Sequence, residues 1–112
     1  MKCNINDKGV ECLNEINAVQ QYIEKAWENF VLCEFNEGMK YFEKIVVGLS
    51  GIINCMENIN NEFKLNIDFN SILDILQKIE NCMVIKDYVY GADLLKYEIG
   101  ELLIQWKVII KK

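Results

Sequence analysis

The fold is decided by the stretch FNEGMKYFEKIVVGLSGIINCMENI, which spans residues 35–59. It contains no proline, and its apolar side chains recur at alternating steps of four and three residues. This spacing places side chains on one face of an α-helix. One apolar row consists of Phe35, Met39, Phe42, Val46, Leu49, Ile53 and Met56, and a second row of Ile45, Ile52 and Ile59. The stretch therefore predicts a long helix whose broad apolar face contacts two neighbouring helices.

Three other segments show the same helical spacing and complete the predicted fold. Their apolar rows run from Cys12 to Phe30, from Phe69 to Met83 and from Tyr88 through Leu102 to Ile109. Asp68 is a suitable N-cap for the third helix. The connections are only a few residues long, so consecutive helices must run antiparallel. We therefore predict an all-α protein, an antiparallel up-and-down four-helix bundle formed by one domain, residues 1–112, with helices over 8–32, 35–61, 68–83 and 87–111.

Composition and charge narrow the possible partners. The formal net charge is −5, whereas a general nucleic-acid binder needs a basic face to displace counterions from phosphates. The longest uncharged stretch, Ile45 to Met56, is much shorter than the roughly 20 residues that cross a bilayer. Residues 1–8 are polar and do not resemble a signal peptide. We therefore expect a cytoplasmic protein that binds neither nucleic acid nor membrane.

The chain lacks the residues on which most bundle enzymes depend. It contains no histidine, which excludes Ser-His-Asp and Cys-His nucleophile pairs, H-E-x-x-H zinc sites and the E-x-x-H ligands of di-iron bundles. It also contains no glycine-rich phosphate-binding motif. Asp93, Glu98 and Glu101 are spread around the polar side of the fourth helix, which is typical of a solvated face. We therefore expect a non-catalytic protein with no cofactor and no metal ion.

The cysteines give no sign of a disulfide framework or a metal site. There are five of them, an odd number, and no two form a C-x-x-C pair: Cys3, Cys12, Cys33, Cys55 and Cys82. We expect reduced thiols, mostly buried, in a reducing compartment.

A strip of small residues on the second helix is the first candidate binding site. It consists of Gly48, Gly51 and Cys55. A glycine inside a helix costs about 1 kcal/mol relative to alanine, so two of them indicate that another backbone approaches closely. The approaching element is either a helix of the same bundle or a helix of a partner that enters a notch.

A flank of the fourth helix is the second candidate. Tyr90, Asp93 and Tyr97 are spaced to lie on one side of the helix, beside the core row. Exposed tyrosines are favoured at interfaces because they combine a large contact area with a polar tip. The alternative is that they are boundary residues whose rings reach out of the core.

Two segments of the chain resemble small uncharacterised helical proteins of low-GC Gram-positive bacteria. The resemblance is carried by EGMKYF at 37–42 and VGL at 47–49 on the second helix, and by DY at 87–88 and ADLLKYE at 92–98 on the fourth. Some of those proteins accompany flagellar genes. The resemblance therefore implies a role like that of small helical flagellar chaperones or regulators, and it implies no catalytic residue.

These observations favour a protein–protein interaction module. We expect a chaperone or adaptor that binds a helix of another protein, such as a flagellar or secretion component, and holds it in a soluble state. A structural homo-oligomer is the alternative, a homodimer in which the flank with Tyr90 and Tyr97 pairs with its own copy across a twofold axis. A carboxylate-based enzyme or small-ligand binder is a third interpretation.

Overall fold

The apolar rows form four helices in the computed structural model, which describes the backbone of residues 5–64 and 66–111 and the side chains of residues 9–64 and 66–111. α1 spans Ile5–Val31, α2 spans Phe35–Phe63 and α3 spans Asn70–Val84. α4 consists of three consecutive segments, which are the α-helical Tyr88–Asp93, the π-helical Leu94–Ile99 and the α-helical Gly100–Lys111. The expected thiol of Cys3 lies outside the described residues.

The helices form a bundle in which α1 packs against both α2 and α4, and α3 packs against α4. The bundle measures 51 × 22 × 18 Å. Its core is apolar throughout the described part of the chain, where no polar or charged side chain is buried. The prediction of an all-α helical bundle is confirmed, and the described residues contain no β-strand.

The start of α3 is held by the side chain of Asp68, the predicted N-cap. Its carboxylate accepts hydrogen bonds from the hydroxyl of Ser71 at 2.7 Å and from the backbone N–H of Asn70 at 2.9 Å. Both donors stabilise the ionised carboxylate and so lower the pKa of Asp68. The prediction of Asp68 as the N-cap is wrong by one residue, because the helix begins at Asn70 and Phe69 occupies the capping position in the backbone.

The α1–α2 and α3–α4 turns have the same backbone geometry. Each contains a residue with positive φ, Cys33 at 63° in the first turn and Lys86 at 64° in the second. The following residue donates its N–H to the carbonyl five positions earlier, at 2.7 Å in the first turn and 2.8 Å in the second. This is a Schellman motif, which satisfies the last carbonyl groups of a helix.

The sequences of the two turns are also related. VLCEF at 31–35 matches VIKDY at 84–88, and each is followed three residues later by a buried glycine, Gly38 and Gly91. Corresponding positions are 53 residues apart. The α1–α2 and α3–α4 turns are therefore repeats of one local structure.

The π-helical segment of α4 accommodates one extra residue in the second hairpin. Leu95 corresponds to Phe42 of α2, 53 positions earlier, whereas Ile99 corresponds to Ile45, 54 positions earlier. An uninterrupted α-helix would turn Leu102 towards the core in place of Leu103. The π-turn, closed by a hydrogen bond to the Leu95 carbonyl, absorbs the extra residue, so Leu103 is fully buried.

The π-turn also changes which residues are buried in the last part of α4. The spacing predicted Leu102 and Ile109 in the core, but the structure buries Leu103 and Ile110 and leaves the predicted pair half-buried. This part of the prediction is wrong because the π-turn shifts the following residues by one position around the helix.

Deletion of Glu98 should be tolerated. The deletion removes the extra residue, and Ile99, Leu103 and Trp106 then follow Leu95 at ordinary α-helical spacing. We expect a single cooperative transition, with a Tm within a few degrees of the wild type, in thermal unfolding followed by circular dichroism.

The matched control is deletion of Val47, an exposed residue of α2. That helix has no extra residue, so the deletion moves every later core residue off the core face and should cost about 3 kcal/mol or more. Similar losses of stability for the two deletions would contradict the role assigned to the π-turn.

Candidate functional site

The small-residue strip of α2 faces α1. A Cβ atom at Gly48 would overlap the Cγ2 methyl of Val19, and a Cβ atom at Gly51 would lie 2.6 Å from Oε2 of Glu15. At Gly48 the near atom belongs to a buried, β-branched side chain, so the two helices can approach this closely only because glycine stands there. At Gly51 it is the end of the exposed Glu15 side chain, which can move aside. The element that approaches the strip is thus α1, and the strip packs inside the bundle rather than forming a notch for a partner helix.

Cys55, the third residue of the strip, continues this contact through a disulfide bond with Cys12 of α1. Their Cα atoms are 6.0 Å apart, a usual separation for a disulfide. The prediction of reduced thiols is wrong for this pair, because the close approach of the two helices brings the sulfur atoms into bonding range. Cys33 and Cys82 are free thiols, the first exposed and the second buried.

The second candidate group, Tyr90, Asp93 and Tyr97, divides between two environments. The tyrosines are exposed over 53% and 62% of their surface. Asp93 is half-buried, and its Oδ1 accepts a hydrogen bond of 3.1 Å from Nε1 of Trp27 in α1. The two tyrosines are therefore available for contact with another molecule, whereas Asp93 holds α4 against α1.

Lys96 extends this contact over the face of the Trp27 ring. Its Nζ lies 3.7 Å from the ring centroid of Trp27 and 5.8 Å from that of Tyr97. The same atom lies 3.7 Å from Oε2 of Glu24. A cation above an indole face is attracted by the π electrons, and the ion pair with Glu24 holds it there.

Sequence analysis missed Trp27 and Lys96 as members of this cluster. Trp27 and Asp93 are 66 residues apart in the chain. The spacing of residues within one helix carries no information about contacts to another helix, so no signal in the sequence could have identified the pair.

A groove of about 330 Å³ lies beside the cluster, between α1 and α4. Tyr97, Gly100 and Ile104 line it from α4, and Glu24 lines it from α1. Ile104 is 52% exposed although it is apolar. The groove therefore combines apolar surface that the core does not use with a gap where Gly100 lacks a side chain.

The rim of the groove carries the carboxylates of Glu24 and Glu101 and the ammonium group of Lys96. Lys96 is paired with Glu24, so Glu101 is the carboxylate left for a ligand. A groove of this kind suits a ligand that is apolar along its centre and cationic where it meets Glu101. Among the described side chains, no group of histidine, cysteine, aspartate or glutamate is arranged to hold a metal ion.

The fold and the groove define the class of protein as an all-α helical bundle with a partly apolar surface site. Residues 10–109 match the family described as Domain of unknown function (DUF8042). The chain belongs to this DUF8042 family. No curated protein and no solved structure matches it. Each helix in the described part of the chain is too short or too polar to cross a lipid bilayer.

Alanine substitution of the two strip glycines should have different effects on stability. We expect Gly48→Ala to lower the free energy of unfolding by about 1–3 kcal/mol, because the new methyl collides with the buried, β-branched Val19. Gly51→Ala should leave it unchanged or raise it by up to about 1 kcal/mol, because the exposed Glu15 side chain can move and alanine favours the helix. Urea unfolding measures both free energies. Equal losses for the two variants would contradict the difference between the Val19 contact at Gly48 and the Glu15 contact at Gly51.

Reduction of the disulfide should destabilise the protein. The bond joins residues 43 positions apart, and a loop of that size corresponds to a stabilisation of about 3–4 kcal/mol. We expect dithiothreitol to lower the Tm of the wild type and to leave that of a Cys12→Ala/Cys55→Ala variant unchanged. A Cys33→Ala variant is the control and should respond to dithiothreitol like the wild type. An identical Tm for the oxidised and reduced wild type would disprove the stabilising role.

Proposed function

We propose that this protein is a non-catalytic protein–protein interaction module that binds an amphipathic helix of another protein in the groove between α1 and α4. One observation carries the proposal. Tyr97 and Ile104 are seven residues apart on α4, they line the groove together, and each is more than half exposed. A row of apolar side chains at this spacing that lies outside the core offers a helix the same contacts that a coiled-coil partner uses.

The wall of the groove supports this proposal because it is held in place before a partner arrives. The hydrogen bond from Trp27 to Asp93 joins α1 to α4, and the Lys96 side chain lies across the Trp27 ring. A preformed surface loses less conformational entropy when it binds, which favours affinity. Tyr97 lies next to this cluster and contributes a large contact area at low entropic cost.

The charges indicate the kind of helix that fits. The carboxylate of Glu101 at the rim favours a helix that carries lysine or arginine beside its apolar stripe, because Glu24 is already paired with Lys96. The resemblance to small helical proteins that accompany flagellar genes supports a flagellar or secretion component as the partner. In this proposal the module is a chaperone or adaptor in the cytoplasm, where it holds that component in a soluble state.

A structural homo-oligomer is the second candidate function. Tyr90 and Tyr97 are both exposed, so the same flank could pair with a second copy across a twofold axis. The two candidates differ in the molecule that this surface binds. It is another protein in the first case and a second copy of this chain in the second.

We test the proposal by capture from a lysate of the organism that produces the protein, with the tagged protein as bait, followed by a binding assay with the purified partner. We expect Ile104→Glu to weaken binding about tenfold or more, because a carboxylate enters an apolar contact beside Glu101. The matched control is Val47→Glu, which places the same charge on an exposed apolar site of α2 and should bind like the wild type.

Two outcomes would reject the helix-binding proposal. If Ile104→Glu binds every captured protein as tightly as the wild type, the groove is not the binding site. If the wild type retains only untagged copies of itself, and the Tyr90→Ala/Tyr97→Ala variant does not, the homo-oligomer is the correct function.

A further inference from the structure

The end of the bundle that carries the α1–α2 and α3–α4 turns is unusually apolar. We call it the turn-end surface and define it by Val31, Leu32, Val84, Ile85 and Val89. Val84 is 80% exposed, Ile85 72% and Leu32 68%, although all three are apolar. Contiguous exposed apolar residues usually mark a contact with another molecule.

Aromatic stacking joins the two turns into one rigid surface. The ring of Tyr88, which begins α4, stacks on Phe35 of α2 at 4.5 Å between centroids and on Phe30 of α1 at 5.5 Å. Each turn is also closed by its own Schellman hydrogen bonds. The apolar side chains of the two turns are therefore presented together, with little freedom to lose on binding.

The repeat makes the two turns alike in shape but different in charge. The second turn contains Lys86 followed by Asp87. At the corresponding positions the first turn contains the neutral Cys33 followed by Glu34. Glu34 and Lys86 are both exposed, and neither forms an ion pair among the described residues of its own chain. The two turns of one molecule are thus similar surfaces. Each carries an exposed anion, Glu34 in the first turn and Asp87 in the second, and the second turn also carries the cation Lys86.

We propose that the turn-end surface binds a second copy of this chain, end to end across a twofold axis, with the α1–α2 turn of each copy against the α3–α4 turn of the other. In this crossed arrangement Leu32 packs against Ile85 of the second copy, and Glu34 lies opposite Lys86 of the second copy. The twofold axis forms each of these contacts two times in the dimer. The uncrossed arrangement would place Glu34 against Glu34 with no cation of the turn beside them, and like charges in contact are unfavourable. This interface does not use the groove between α1 and α4, so each copy keeps its own groove.

Charge reversal tests the crossed pairing by sedimentation equilibrium. Glu34→Lys alone and Lys86→Glu alone should each weaken self-association about tenfold, because each puts two like-charged pairs into the dimer. An equimolar mixture of the two variants should associate as tightly as the wild type, since opposite charges then face each other at both contacts. Glu43→Lys and Lys78→Glu are the controls, and these exposed changes on α2 and α3 should have no effect.

Small-angle X-ray scattering tests the geometry. An end-to-end dimer should be roughly twice as long as the 51 Å of one copy, whereas a dimer through the Tyr90 and Tyr97 flank would keep about that length. The mixture also shows that the variants are folded, because only folded chains can restore association. A wild type that remains monomeric, single variants that associate like the wild type, or a dimer no longer than one copy would each overturn the proposal.

Discussion

The close contact between α1 and α2 is the constraint on which the rest of the bundle depends. Gly48 and Gly51 lack side chains where α1 passes, and the Cys12–Cys55 disulfide then joins the two helices covalently. α1 also packs against α4, which in turn packs against α3. The position of α1 therefore determines where both of the later helices lie, and any side chain that separated α1 from α2 would disturb the whole core.

The buried residues of α4 repeat the spacing of those of α2, with one extra residue between Leu95 and Ile99. In an uninterrupted α-helix this extra residue would turn Leu102 towards the core in place of Leu103. The π-turn at Leu94–Ile99 solves this problem locally, and it stands next to Lys96 and the groove. π-turns are less favourable than α-helix and are often found at functional sites. The feature that places Leu103 in the core thus also shapes one wall of the candidate site.

On the described surface, some residues stabilise the fold, and others beside them are free to bind another molecule. Trp27, Asp93 and Lys96 are engaged with one another between α1 and α4. Tyr97 and Ile104 lie beside them but remain exposed, so the core gains little from their large apolar side chains. Replacement of these exposed residues should change binding far more than stability, whereas replacement of the Trp27 cluster would change both.

The sequence by itself determined the number of helices, their approximate ends and most of their buried faces, because the three-to-four spacing of apolar residues is a property of one helix at a time. It also indicated that something approaches Gly48 and Gly51 closely. Only the tertiary structure decided that this element is α1, that Cys12 and Cys55 form a disulfide, and that Asp93 accepts a hydrogen bond from Trp27 while Tyr97 stays exposed. These outcomes depend on the distance and rotation between helices that are far apart in the chain, and those are set by the packing of all four helices together.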